Sequence, residues 1–439
     1  MSNTRPDGRH NAKRKPNKSK TGTREMRTRP KILLVQFYSG LLNRNENKQA
    51  TEYYDKLYRT LPGYNRLGPV WEIPVWQAEM KRNFPDARTT FARSIADVQA
   101  KQADYDILAF SALDCNWHLI RTIADGFSGK VIVGGYCDRE NLSDLPNVIW
   151  CDSVRDCCDK LGTDYRTGID YSSFVGAKTI ARLTLSTGCG HKCRFCIQPN
   201  DVVKTSIADV YQQADEIARL NSPLVYINDK TFGQCENFWL LPLLSQYFVD
   251  NMDGFDGFIV QTTATQLLKL DDDFLSASGI RYVELGIETY NDAILAAMHK
   301  PASEKTIDAA TEKLRRCNVK LIPNILIGLP DETQETYSRT LNWLAANADV
   351  ISHLNIYNVV VYADADLAND IEFADNATDE NSIGKNWQGD TTDAELFAAI
   401  LYTFAANQLP DDTAIYAMSD VVRLDANGYD ADGNRREYY

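Results

Sequence analysis

Three thiols fall within eight residues of a 439-residue chain: Cys189, Cys193 and Cys196, in the stretch STGCGHKCRFCIQPN. Thiolates at C-x3-C-x2-C spacing are soft ligands, suited to iron–sulfur clusters and to zinc. Structural zinc takes four ligands. The local fourth candidate, His191, stands two residues from Cys189 and two from Cys193, so one compact loop closes that tetrahedron poorly. A cubane cluster can instead be held by three cysteines with one iron left open to a small chelate. A group of redox-sensing thiols is the third reading.

The other seven cysteines (115, 137, 151, 157, 158, 235 and 317) are too scattered for a disulfide framework and read as small buried hydrophobes. No run approaches the length of a membrane span, and the N-terminus lacks the apolar core of a signal peptide, so the expected compartment is the cytoplasm. There thiols stay reduced. The net charge is −13, unevenly spread: residues 1–31 hold eleven Lys and Arg against Asp7 and Glu25. With almost no apolar residues, this tail is expected to be disordered over 1–30. It is either a solubilising segment or one that holds nucleic acid by counterion release.

The elements that must position the thiols come in two sets. KILLVQF (31–37), YDILAFSA (105–112), KVIVGGY (130–136) and NVIWCD (147–152) read as strands, with helices at ARSIADVQAKQ, NWHLIRTIADGF and SVRDCCDKLG. The stretch between 37 and about 80 reads as irregular. This pattern predicts a Rossmann-like, flavodoxin-like parallel sheet domain over 31–165. From 175 the alternation restarts, with strands at ARLTLSTG (181–188), LVYINDK (224–230), FIVQTTA (258–264), YVELGIET (282–289), VKLIPNILIGLP (319–330) and HLNIYNVVVY (353–362). Six β/α units predict a partial (β/α)6 barrel over 175–371, whose chemistry lies on the loops after the strands. The thiols lie just after the first of these strands. An acidic extension, 372–439, carries one amphipathic helix at 393–409.

In that position CGHKCRFC resembles the signature of the radical S-adenosylmethionine superfamily, C-x3-C-x-aromatic-C, with Phe195 as the aromatic residue. The resemblance implies a 4Fe-4S cluster on Cys189, Cys193 and Cys196. Its open iron would chelate S-adenosylmethionine, and an electron from an external flavodoxin- or ferredoxin-type donor would release a 5′-deoxyadenosyl radical that takes a hydrogen atom from a substrate. LVYINDKTFG resembles the second-strand motif of the subgroup with methylthiotransferases and cobalamin-type enzymes. That places Asn228 and Asp229 toward the amino group of the methionine moiety; an Asx turn is the alternative. RYVELGIETYNDAILAAMHK resembles the fourth-strand region, which implies that Glu288 faces the cofactor; a salt-bridged carboxylate is the alternative. Glu284 alternates with Gly286 and Glu288 on one face and is a further candidate. NILIGLPDET resembles the fifth-strand motif that packs on the adenine, with Gly328 giving close approach, Pro330 shaping the turn, and Asn324 where many members have Gly.

Residues 31–165 resemble the cobalamin-binding domain of one branch, with VGGY (133–136) at the strand-end turn near the corrin tail. The Asp-x-His-x-x-Gly hallmark after the first strand is missing, and QFYSGLLNRNENK holds no histidine. His118, on a helix, reads as packed or solvent-facing. The domain then binds cobalamin without a histidine ligand, shapes the substrate site as a relic, or is a generic partner. Asp114, Cys115 and Asn116 stand at a ligand-facing strand end. The function expected is methylation or rearrangement of an unknown substrate by a radical enzyme. Alternatives are a nucleic-acid modifier directed by the tail, a methylthiotransferase, and a non-catalytic zinc protein. The second cluster of a methylthiotransferase would need a compact set that cysteines 115, 137, 151, 157 and 158 do not form. Tyr226, Tyr290 and Tyr357 lie near strand ends, for substrate or for packing.

Overall fold

The computed structural model describes residues 30–37, 74–92, 94–113, 116–135, 137–176, 180–359, 365–370 and 414–418. The basic tail, the loop after the first strand, Asp114, Cys115, Tyr136, the helix expected over 393–409 and the closing segment lie outside these residues.

Strands β1 (Ile32–Phe37), β2 (Arg88–Ala92), β3 (Ile107–Ala112), β4 (Lys130–Gly135) and β5 (Val148–Trp150) form a five-stranded parallel sheet in the order β2-β1-β3-β4-β5. This is the flavodoxin-like order, whose topological switch point lies between β1 and β3. The continuous apolar runs split by period two between both faces. Leu33, Val35, Leu108, Phe110 and Val131 pack with Val98 of α2 (Ile95–Gln102) and Ile120 and Ile123 of α3 (Trp117–Asp125). Ile32, Leu34, Ile107, Ala109 and Ile132 pack with Met80 of α1 (Val75–Asn83) and Cys157 of α4 (Val154–Leu161). Helix α1 and strand β2 correct the sequence expectation, which left the chain irregular before residue 80 and began a helix at residue 92. RTTFA is short and three of its five residues are polar, so it carries no apolar run. The helix begins only after Ser94, whose side chain and that of Asp97 form a capping box.

The second sheet is seven-stranded, in the order β14-β13-β12-β11-β10-β9-β6, with every neighbouring pair parallel. Its strands are β6 (Ala181–Leu183), β9 (Leu224–Ile227), β10 (Gly257–Thr262), β11 (Ile280–Glu288), β12 (Lys320–Ile327), β13 (His353–Asn358) and β14 (Ala414–Met418). The first six make the expected partial barrel. The seventh, AIYAM, is too short to stand out in a polar stretch. The helices between them include α5 (Ile207–Leu220), α6 (Leu241–Asn251), α7 (Ala264–Leu267), α8 (Asp272–Ala277), α9 (Asp292–Ala297), α10 (Glu304–Arg316) and α11 (Gln334–Ala346). Val225, Ile227, Val260, Val283, Leu285, Leu321, Ile325 and Leu354 face the core that these helices cover. The alternate positions, among them Tyr226, Glu284, Asn324 and Asn355, therefore line the concave face.

The expectation of one strand over 181–188 is also corrected. The chain leaves the sheet after Leu183, and β7 (Ser186–Thr187) pairs antiparallel with β8 (Val203–Lys204). Asp229 is the cause: its Oδ1 accepts from the Leu185 and Ser186 amides, both at 2.9 Å, so neither amide continues the ladder. No helix among the described residues is long and apolar enough to cross a membrane.

Candidate active site

The thiol loop runs from the end of β6 to β8 and is fastened at both ends. Besides the two amides, Asp229 accepts from the Ser186 hydroxyl at 2.6 Å, and it is buried. Burial pushes the Asp229 carboxyl up, while the Ser186 hydroxyl and the two amides pull it down. Asn237 Nδ2 donates to Leu185 O at 3.0 Å and to Thr205 O at 2.8 Å, closing the base of the loop. Gly188, at φ +79°, lies so close to the other arm that a Cβ there would stand 2.0 Å from Asp201 O. Only glycine passes that point.

Within the loop, Cys189 N donates to Pro199 O at 2.8 Å and its Sγ lies 3.2 Å from Thr231 Oγ1. Gly190 N donates to Gln234 Oε1 at 3.0 Å. Cys196 N donates to Cys193 O at 3.0 Å, a turn that sets the last two thiols. Arg194 anchors the far side: its amide donates to Met298 O at 3.1 Å, its carbonyl accepts from Leu367 N at 2.7 Å, and its Nε meets Asp366 at 3.2 Å. Phe195 packs with Ile294, Met298, Leu329 and Leu367. The aromatic residue of the motif thus ties the thiol loop to the ends of β12 and α9.

Against this loop lies a buried ion pair. Lys300 Nζ bonds Glu288 Oε1, with side-chain exposures of only 8% and 9%. Both members come from left-handed surroundings: Glu288 has φ +63° and His299 φ +52°. At Glu288 the pairing of β11 with β12 also shifts register. A non-glycine residue held there costs about 1–3 kcal/mol, which marks the strand end as a built feature. Burial pulls Lys300 down, but Glu288 and Cys193 outweigh it and hold the ammonium above the ordinary lysine range. Lys300 Nζ also stands 6.0 Å from the Phe195 ring centroid. Burial pushes the Cys193 thiol up to about 11, with Lys300 pulling the other way. Such a thiol gains from a cationic partner, which is what a metal cluster supplies to its ligands. Among the described residues no three His, Cys, Asp or Glu are gathered to hold one metal ion. Three thiols on one loop are donors of the soft kind an iron–sulfur cluster takes. The Nε2 of His191 is buried without a partner.

The remaining residues expected at the site divide. Asn324 is on the concave face, where its Oδ1 accepts from Asn355 Nδ2 at 2.7 Å. Gly328 has φ +90°, and after it Leu329 N donates to Glu332 Oε2 at 3.2 Å. Burial pushes the Glu332 carboxyl up to about 8, against hydrogen bonds from Tyr337, Thr289 and the Leu329 and Gly328 amides. Asn228 Oδ1 accepts from Arg182 Nη1 at 3.0 Å. The Arg182 guanidinium lies 4.1 Å over the Tyr226 ring, and Tyr226 donates to Glu284 at 2.6 Å. Tyr290 stacks on Trp343 and donates to Asp308, on the helix side of the sheet. In the first domain, Asn116 is buried and closes its own turn, accepting from Leu113 N at 2.8 Å and donating to Ser111 O at 3.0 Å. His118 is exposed on α3. Gly135, at φ +119°, ends β4 so close to β3 that a Cβ would lie 2.1 Å from Ala112 O. Sequence reasoning missed Lys300, Thr231, Gln234 and Arg194. Lys300 alone had a signal, as the lysine ending the Met-x-Lys run.

Residues 183–344 match the family model described as the radical SAM superfamily. The chain carries a radical SAM domain over these residues. The similarity to curated relatives covers about two fifths of this chain. The chain is 27% identical over 196 residues to the ribosomal protein uS12 methylthiotransferase RimO of Bordetella pertussis, covering 38% of this chain and 42% of that protein. It is 23% identical over 191 residues to the tRNA-2-methylthio-N(6)-dimethylallyladenosine synthase of Aliarcobacter butzleri, covering 39% and 43%. The match thus spans about two fifths of those relatives. Two solved structures share the two-part fold at 11% identity. The cobalamin-dependent S-adenosylmethionine radical enzyme OxsB aligns with TM-score 0.60 over 86% of this chain and 67% of its own. The radical S-adenosylmethionine methyltransferase TsrM from Kitasatospora setae aligns with TM-score 0.55 over 77% of each.

Proposed function

We propose that the protein is a radical S-adenosylmethionine enzyme that methylates or rearranges a substrate held in the barrel. The observation that carries this reading is the thiol loop at the end of β6, fastened by Asp229, Asn237 and Arg194 and facing the buried Glu288–Lys300 pair. Cys189, Cys193 and Cys196 would hold a 4Fe-4S cluster. When bound, the cluster supplies the electron that cleaves S-adenosylmethionine to a 5′-deoxyadenosyl radical. The chain's own residues orient and enclose. Thr231 supports the first thiol, and Phe195 packs the loop onto the ends of β12 and α9. Glu288 keeps a carboxylate at the strand end, compensated by Lys300, in reach of a cationic amino group.

Cobalamin is the cofactor proposed for the first domain. The flavodoxin-like strand order and the two-part likeness to OxsB and TsrM support it. The corrin would lie over the carboxyl ends of β1 and β3. A methylthiotransferase activity is less well supported despite the curated relatives. Cys137 packs in the core on one face of the first sheet and Cys151 and Cys157 in the core on the other, so these thiols serve as buried packing groups.

Anaerobic reconstitution with iron, sulfide and S-adenosylmethionine, then reduction with dithionite, tests the proposal. The expected result is 5′-deoxyadenosine from the native chain and none above background from the Cys189→Ala/Cys193→Ala/Cys196→Ala variant, which also retains no iron. Equal yields would sink it. Retention of added cobalamin through gel filtration tests the second cofactor separately.

A further inference from the structure

Asn324 and Asn355 stand directly opposite each other on β12 and β13. Asn355 is 2% exposed, and its Oδ1 is buried without a hydrogen-bond partner. An unfilled buried acceptor costs about 1–3 kcal/mol, and nearly all such groups in proteins are filled. The next strand in the same row presents Gly286 opposite Asn324. There a side chain would run into Lys300 Nζ at 2.5 Å and Glu288 Oε1 at 2.6 Å. One row across three strands therefore reads as the Glu288–Lys300 pair, then Asn324, then the unfilled oxygen of Asn355. On the N-terminal side of this row Glu284, Tyr226 and Arg182 keep the concave face polar. An acyl chain would leave the Asn355 oxygen desolvated and unfilled.

Resting on the radical enzyme reading for what the barrel does, we propose that Asn355 is a specificity-determining residue of the substrate site. Its Oδ1 accepts a hydrogen bond from a hydroxyl or amino group of a small polar substrate, and this contact selects hydroxylated or amino-bearing molecules over apolar ones. Asn324 positions it by taking the other end of the carboxamide.

Saturation-transfer NMR on the full chain tests this with myo-inositol and L-serine as donor-bearing probes and decanoate as the apolar one. The native chain should give a signal from at least one polar probe and weaker transfer from decanoate. Asn355→Ala should weaken the polar signal about three- to tenfold, the range of one hydrogen bond. Asn324→Ala, which leaves the Asn355 oxygen in place, should weaken it less than twofold, and Asn355→Asp should restore part of it. Stronger transfer from decanoate, no polar signal, or equal loss in the Asn324 and Asn355 variants would overturn the assignment. The last result would make the pair structural. The measurement uses no reductant and no turnover, so its failure is distinct from failure to form 5′-deoxyadenosine.

Discussion

In the sheet of β1–β5, the central strands bury apolar side chains on both faces, and even the thiols are packing groups: Cys137 lies in one core and Cys151 and Cys157 in the other. In the sheet of β6 and β9–β14, one face is equally apolar, but the concave one carries Tyr226, Glu284, Asn324 and Asn355. Both are parallel sheets with helices between the strands, so the local grammar is the same. The difference is what each does with its unsatisfied chemistry. Among the described residues, the ion pairs around the first sheet lie at the surface, as with Arg121 and Asp144. The second buries one pair, Glu288 and Lys300, beside its thiols. A buried pair is weak evidence for stability in itself, because desolvation opposes the attraction. Its retention here points to the site.

The comparison breaks first at that pair. Lys300→Met alone should destabilise the chain by about 3–5 kcal/mol, because it strands a buried carboxylate. Replacing both, as Glu288→Leu/Lys300→Met, should return stability to near the native value in urea melts while 5′-deoxyadenosine formation stays lost. A double variant that is stable and still active would make the pair ordinary packing and erase the contrast between the sheets.

The second effect is a pH dependence confined to the barrel. With Glu332 pushed up to about 8 by burial, the folded state holds this proton more tightly than the unfolded chain does. Its contribution is fully present below the ordinary glutamate range and is lost as pH rises toward and through about 8. Glu332→Gln, which cannot ionise, should flatten the fall in melting temperature between pH 5 and pH 8.5 by roughly 2–8 °C. An unchanged slope would show that the turn after Gly328 tolerates the charge.

How much of this contrast was legible beforehand follows the same division. The first sheet's central strands announced themselves as apolar runs, and their alternation with helices pointed to a parallel sheet. Strand β2 did not, because RTTFA has no apolar run and gains its place only by pairing with β1. The three thiols were readable from spacing alone. Asp229 was readable as a strand-end carboxylate, but its effect on the backbone was not. It turns the chain out of the sheet by taking two amides from beyond the end of β6, a contact across forty-four residues. Lys300 carried only the Met-x-Lys signal and Asn355 carried none, for a related reason. A lysine after a helix and an asparagine in a strand become informative only when the fold buries them, one against Glu288 and the other with an oxygen left unfilled.

A third, smaller test sharpens the reading of the first sheet's cysteines. Cys157 is 1% exposed, and a hydrogen bond with the neighbouring Cys151 thiol, together with burial, pushes it above the ordinary thiol range. Such a sulfur stays protonated and is a poor metal ligand. Cys157→Ser should cost about 1–3 kcal/mol, the penalty of a buried hydroxyl left short of partners, and leave the iron content of the reconstituted protein unchanged. Loss of iron in this variant would bring the methylthiotransferase reading back.

The smallest effect belongs to the surface pair. Arg121 grips Asp144 with both terminal nitrogens, at 2.7 and 2.6 Å, and its Nη1 also reaches Asn141 O at 2.6 Å. The geometry is bidentate, yet the side chains are 34% and 61% exposed, so water and salt already screen the attraction. The Arg121 guanidinium holds the Asp144 carboxyl below the ordinary range. That contribution is present above the ordinary aspartate range and is lost as pH falls, the reverse of Glu332. Arg121→Ala should therefore move the melting temperature at neutral pH by no more than about 1–2 °C, and raising the salt concentration should shrink even that. In acid the variant and the native chain should melt together. A larger, salt-resistant loss would mean that the first sheet, too, relies on a specific polar contact, and that the two sheets differ in degree rather than in kind.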